Sequence, residues 1–124
     1  YDPRRPPENI ILGTTIESDR YAFRAHHLRA TPAARRWLSL EPLLGPLPSL
    51  DLTGIDGIVI GGESGHGARL MELEWAVDLV KRAQAAGVKV HVKQLGTVLG
   101  RQLGLDHHDL DTFPESLRVR DSIR

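Results

Sequence analysis

Gly57-Ile58-Val59-Ile60-Gly61-Gly62-Glu63-Ser64-Gly65-His66-Gly67 is the stretch on which the reading of the chain turns. A β-branched run leads straight into two glycines and a carboxylate. It is too short for a buried helix and suits a buried strand over residues 57–63 that ends in a loop. Downstream, residues 73–86 repeat apolar residues at helical spacing, with Ala76, Val80 and Ala83 on one face and Gly87 as the stop. A further strand, residues 88–93, begins at once.

Upstream the pattern repeats. Residues 10–16 form an apolar run bounded by Glu17-Ser18-Asp19, which predicts another buried strand. Ser18 is a good N-cap for a helix over 19–30, with Ala22, Ala25 and Leu28 inward. Thr31-Pro32 interrupts it, because proline cannot continue the hydrogen-bond ladder. Residues 36–41 read as a strand ended by Pro42, and residues 43–54, with Pro46 and Pro48, as a loop.

Strands that alternate with helices and are nearly continuous in apolar residues predict βαβ units and a parallel sheet, hence an α/β fold. The domain is expected over residues 10–96. Residues 1–9, rich in proline, read as an extended lead-in, and residues 97–124 as an irregular tail of the same domain.

Three predicted strands end in Glu17, Glu41 and Glu63, and the fourth in Lys93. Side chains alternate along a strand, so parity says where each points. Leu12, Thr14 and Ile16 oppose Ile11, Gly13, Thr15 and Glu17. Leu38 and Leu40 oppose Trp37, Ser39 and Glu41. Ile58 and Ile60 oppose Val59, Gly61 and Glu63, while Val88, Val90 and Val92 oppose Lys89, His91 and Lys93. In every strand the terminal charge lies on the mixed face, and the aliphatic face suits packing beneath helices.

The carboxyl ends of parallel strands are where such folds hold ligands. Each Glu alone reads as the polar residue that ends a strand; the set at matched parity reads as a site. Glu41, Glu63 and Lys93 are the candidate catalytic residues. Glu17, Gly61, Gly62, Ser64 and His91 are candidates for cofactor or substrate contact. The glycines either admit a ligand to the backbone or serve a tight turn with positive φ. Arg69 could hold a carboxylate or phosphate, or be surface charge.

Other features are weaker. His26-His27 are adjacent on a helix and face apart, so a shared metal is not expected. His107-His108 read as a solvated loop. Arg35-Arg36, Arg118, Arg120 and Arg124 read as surface charge.

The chain has 124 residues, 16 basic and 16 acidic residues, and no cysteine. Zero net charge gives no global case for nucleic acid or an anionic membrane. No apolar run is long enough to span a bilayer. Without cysteine there is neither a disulfide framework nor a thiolate metal site. That fits a reducing compartment, and a cytoplasmic location is expected. Residues 1–9 lack the apolar segment of a signal peptide, and the start at Tyr1 reads as a piece of something longer.

Ile11-Leu12-Gly13-Thr14-Thr15-Ile16-Glu17, Ser39-Leu40-Glu41-Pro42-Leu43-Leu44-Gly45-Pro46 and Ile58-Val59-Ile60-Gly61-Gly62-Glu63-Ser64-Gly65 occur here in order. Thr31-Pro32-Ala33, Trp75, Ala85-Ala86-Gly87-Val88, Val92-Lys93-Gln94-Leu95-Gly96 and Phe113-Pro114-Glu115-Ser116-Leu117-Arg118-Val119-Arg120 join them. Over about residues 9–120 the chain resembles the C-terminal half of an uncharacterised phage and prophage family with a three-cysteine motif near its N-terminus. Members of that family look similar to radical S-adenosylmethionine barrels. Leu95 stands where an aromatic is usual, and Thr14-Thr15 replaces a more apolar pair.

The resemblance implies the later half of a TIM-like (β/α) barrel of roughly 250 residues. It implies S-adenosylmethionine and an iron–sulfur cluster in the complete protein, with no autonomous activity expected from this cysteine-free chain. A half barrel leaves two sheet edges unpaired. The expected partners are therefore a complementary N-terminal half or a second copy, together with a small-molecule ligand. Nucleic acid enters by analogy only, and no membrane partner is expected. The competing readings are a non-catalytic binding or assembly module and a hydrolase holding a divalent metal on the three glutamates.

Overall fold

In the computed structural model, residues 5–123 are described; residues 1–4 of the lead-in and Arg124 lie outside them. Four strands, β1 (Ile11–Thr15), β2 (Arg35–Leu40), β3 (Gly57–Gly61) and β4 (Lys89–Gln94), form one sheet in the order β1-β2-β3-β4. All three pairings are parallel. The α/β class expected from the sequence is the observed one. Among the described residues the sheet is open.

The register aligns the predicted faces. Thr14, Leu38, Ile58 and Val90 lie in one row, and Thr15, Ser39, Val59 and His91 in the next. Leu38, Leu40, Ile58, Ile60, Val90 and Val92 are fully buried against the helical layer. On the mixed face, Trp37 lies across β3 where Gly57 has no side chain; a Cβ there would meet the indole at 2.3 Å.

Helix α1 (Phe23–Ala30) buries Ala25 and Leu28, and α2 (Leu73–Ala85) buries Ala76, Leu79, Val80 and Ala83. Gly87, at φ +71°, takes the left-handed turn that ends α2, and Val88 N–H reaches back to the Ala83 carbonyl. Residues 19–30 are not one helix. A 3₁₀ turn at Asp19–Tyr21 precedes α1, and Ser18 makes no side-chain cap.

The link from β2 to β3 contains no helix. Parallel strands need a crossover, and here a Leu- and Pro-rich loop makes it. Leu43, Leu47, Leu50 and Ile55 are buried, so the loop fills the helix's place in the core.

The C-terminal stretch differs most from expectation. Far from irregular, it contains helix α3 (Thr97–Leu103) and 3₁₀ turns at Leu110–Thr112 and Glu115–Leu117. Phe113 and Leu117 are fully buried. Beyond them the chain runs antiparallel to β4: Val92 N–H donates to the Val119 carbonyl and Asp121 N–H to the Val90 carbonyl. The β4 edge, expected to be unpaired, is thus closed by the chain itself. Arg120 is structural here, its guanidinium donating to the carbonyls of Val92, Lys93 and His108. Arg36 is likewise bonded to the carbonyls of Leu28 and Thr31, and Arg118 to that of Phe113. His107 is half-buried against Gly100, not solvated, and burial pushes its imidazole pKa down.

Candidate functional site

The strands deliver Glu17, Glu41, Glu63 and Lys93 to one end of the sheet, each answered by its own partner. Glu41 follows β2 directly. Its Oε1 accepts from Lys93 Nζ at 3.3 Å and from Gln94 Nε2 at 3.0 Å. Gln94 is 5% exposed and also donates to the Gly62 carbonyl at 2.8 Å. The Glu41 side chain keeps 25% of its surface exposed and Lys93 58%. Among the described residues the second Glu41 oxygen accepts no hydrogen bond.

Gly61 and Gly62 make this arrangement possible. A Cβ on Gly61 would stand 3.0 Å from both Gln94 Nε2 and Glu41 Cγ. One on Gly62 would stand 2.3 Å from the Leu95 carbonyl oxygen and 2.7 Å from Gly96 Cα. The positive-φ turn foreseen for this loop falls at Gly65 and Gly67. The close approach at Gly62 is made by the chain's own backbone, so packing is the role that falls to it.

Glu63 belongs to Arg69. The guanidinium grips both carboxylate oxygens, at 2.7 and 3.1 Å, and Arg69 N–H adds a third bond at 2.9 Å. These bonds hold the carboxyl down at about 2, from an ordinary 4.5. A depressed pKa means that the pair stabilises the loop fully above about pH 4.5 and loses that contribution as pH falls toward 2. The Glu63 side-chain carbon signal in a ¹³C NMR titration should therefore show its midpoint near 2. A midpoint at the ordinary carboxylate value would contradict the ion pair.

Glu17 faces Arg24 at 3.6 Å. His91 does not join the Glu41 group; its Nδ1 lies 3.4 Å from the Asp121 carbonyl beneath the C-terminal segment. Ser64 is exposed. Among the described residues no three His, Asp or Glu side chains gather closely enough to hold a metal ion. The three glutamates each face a different cation, so the hydrolase reading loses its ligand set.

Gln94 is the residue that parity missed. A register shift between Ile60 and Gly61 pairs Gly61 with Gln94, which breaks strict alternation at the end of β4. The mixed face of the sheet carries a groove of about 210 Å³ lined by Gly13, Thr15, Trp37, Ser39, Val59 and Ile123, among others.

The Glu41 carboxylate, one of whose oxygens accepts no hydrogen bond among the described residues, lies beside a half-exposed ammonium, and the two can take a cationic or hydroxyl group and an anionic group together. No curated protein and no solved structure matches this chain. Residues 2–112, which include all four strands together with Glu41, Lys93 and Gln94, match the family described as protein of unknown function (DUF5131), and the chain belongs to that family.

Proposed function

We propose that this chain is a ligand-binding α/β half-barrel whose site lies at the carboxyl strand ends around Glu41, Lys93 and Gln94. The observation that carries the reading is the Glu41 carboxylate, held in place through one oxygen and, among the described residues, without a hydrogen bond at the other. Gln94 orients it from a buried position, and Lys93 offers its remaining N–H groups to an anion. The ligand class is a small polar molecule with an ammonium or hydroxyl for Glu41 and a carboxylate or phosphate for Lys93.

The motif resemblance supports S-adenosylmethionine as that ligand, since it carries an amino group, a carboxylate and ribose hydroxyls. The chain's own residues do not fit an iron–sulfur cluster. It has no cysteine, and its described His, Asp and Glu side chains form no group of three. Its part is to bind and orient. Titration with S-adenosylmethionine should give saturable binding that Glu41→Gln weakens at least about tenfold, because a charged hydrogen bond is replaced by a neutral one. Equal affinity in the two proteins would remove Glu41 from the site.

A further inference from the structure

We infer that the β1 edge is a self-association surface, at which a second copy of this chain adds antiparallel about a two-fold axis through Gly13. The two sheet edges are not alike. The β4 edge is closed by residues 119–121, whereas among the described residues β1 pairs on one side only.

The hydrogen-bond pattern shows which β1 groups face outward. Ile16 N–H donates to the Ser39 carbonyl, so in this parallel ladder the even residues bond to β2. Ile11, Gly13 and Thr15 then turn their amides and carbonyls to the open edge. The Thr15 carbonyl agrees in direction, since it accepts from Arg24 Nη1, outside the sheet, at 2.8 Å; this partly exposed guanidinium must swing aside for the second copy's Ile11 amide to take its place.

These three residues form a set that matches itself when reversed. About a dyad at Gly13, Ile11 stands opposite the partner's Thr15, and Gly13 opposite the partner's Gly13. All face outward, as reciprocal antiparallel pairs require. Gly13 is exposed and puts no side chain on the axis. The stretch Ile11-Leu12-Gly13-Thr14-Thr15 carries no charge, and in this register Glu17 falls opposite the partner's Asn9. No like charges meet across the axis.

Natural sheets protect such edges with lysine, proline or a covering segment; β1 carries neither residue, and among the described residues its outer edge is met by the Arg24 side chain at the Thr15 carbonyl. Apolar exposure gathers here too. Ile10, 39% exposed, precedes β1, and Phe23, 55% exposed, neighbours the Arg24 that reaches Thr15. Ile123, 46% exposed, lines the groove beside Gly13 and Thr15. Self-complementarity without charge is what favours a second copy over a foreign strand.

Sedimentation equilibrium at about 0.1 mM should give twice the 13.7 kDa chain mass. Two double variants test the register, with circular dichroism checking their fold. Ile11→Lys with Thr15→Lys sets like charges opposite each other twice and should leave a monomer. Ile11→Lys with Thr15→Glu sets opposite charges there and should remain a dimer. A monomeric parent chain, as expected if a different polypeptide owns this edge, overturns the proposal. So does a dimer that survives the two lysines, or one that the Lys/Glu pair abolishes.

Discussion

Gly62→Ala is expected to lower stability by about 3 kcal/mol, at the upper end of what overpacking costs. The new methyl would meet the carbonyl oxygen and carbon of Leu95 at 2.3 and 2.6 Å and Gly96 Cα at 2.7 Å, all of them backbone. A flexible side chain could swing away; these atoms are fixed. Leu95 N–H is bonded to the His107 carbonyl, and Gly62 N–H to that of Gln94. Relief would therefore have to move the end of β4 and take Gln94 off Glu41. For a domain of this size the melting midpoint should fall by roughly 10–15 °C. Gly45→Ala is the control, because a Cβ there meets nothing within 4 Å and its φ is not positive. Gly62→Ala melting alongside that control would mean that the two backbones do not approach as described.

Phe113→Ala should cost about 4 kcal/mol, the usual scale for emptying a phenylalanine site in a core. The ring is fully buried. Its surroundings also hold down the last segment: Arg118 Nε–H donates to the Phe113 carbonyl at 2.6 Å, and Arg120 lies over the ring at 5.8 Å. Loss of the ring should loosen residues 119–121 from β4. The amides of Val90 and Val92 donate to the Asp121 carboxylate and the Val119 carbonyl. Hydrogen exchange should accordingly quicken at these two amides more than at Ile58 or Ile60 in the middle of the sheet. Unchanged exchange together with a small stability loss would show that the C-terminal segment is an appendage and not part of the core.

The architecture was legible where local signals agreed. The Ile58-Val59-Ile60 run, the spacing of Ala76, Val80 and Ala83, and the stop at Gly87 all reflect short-range geometry, and each has its counterpart in the structure. Parity separated the aliphatic face from the mixed one in β3 and β4, where the aliphatic side chains are buried, and in β2 apart from the buried Trp37; in β1 neither face is fully buried. The link after β2 was legible as a loop, yet its share of the core was not: Leu43, Leu47, Leu50 and Ile55 follow no period and are buried by long-range packing.

The stretch 97–124 was misread for a similar reason. Thr97–Leu103 contains Gly100, which discourages a helix in isolation. The helix holds because a Cβ at Gly100 would strike His107, whose segment packs there instead. In the site, parity aimed Glu41 and Lys93 correctly toward each other but could not reveal the register shift that brings Gln94 to them. Nor could it assign pairs. Glu63 reads like Glu41 in sequence, and only the turn through Gly65 and Gly67 returns Arg69 to it.

The central claim is that ligand recognition sits at Glu41, Lys93 and Gln94. Its most direct test is a residue-resolved ¹⁵N NMR titration of the chain with S-adenosylmethionine. The predicted result is saturable shifts of the Gly61, Gly62, Gln94 and Leu95 amides and of the Gln94 side-chain amide, weakened by Glu41→Gln. Shifts confined to Gly13, Trp37 and Val59 on the open groove, or no shifts at all, would contradict it.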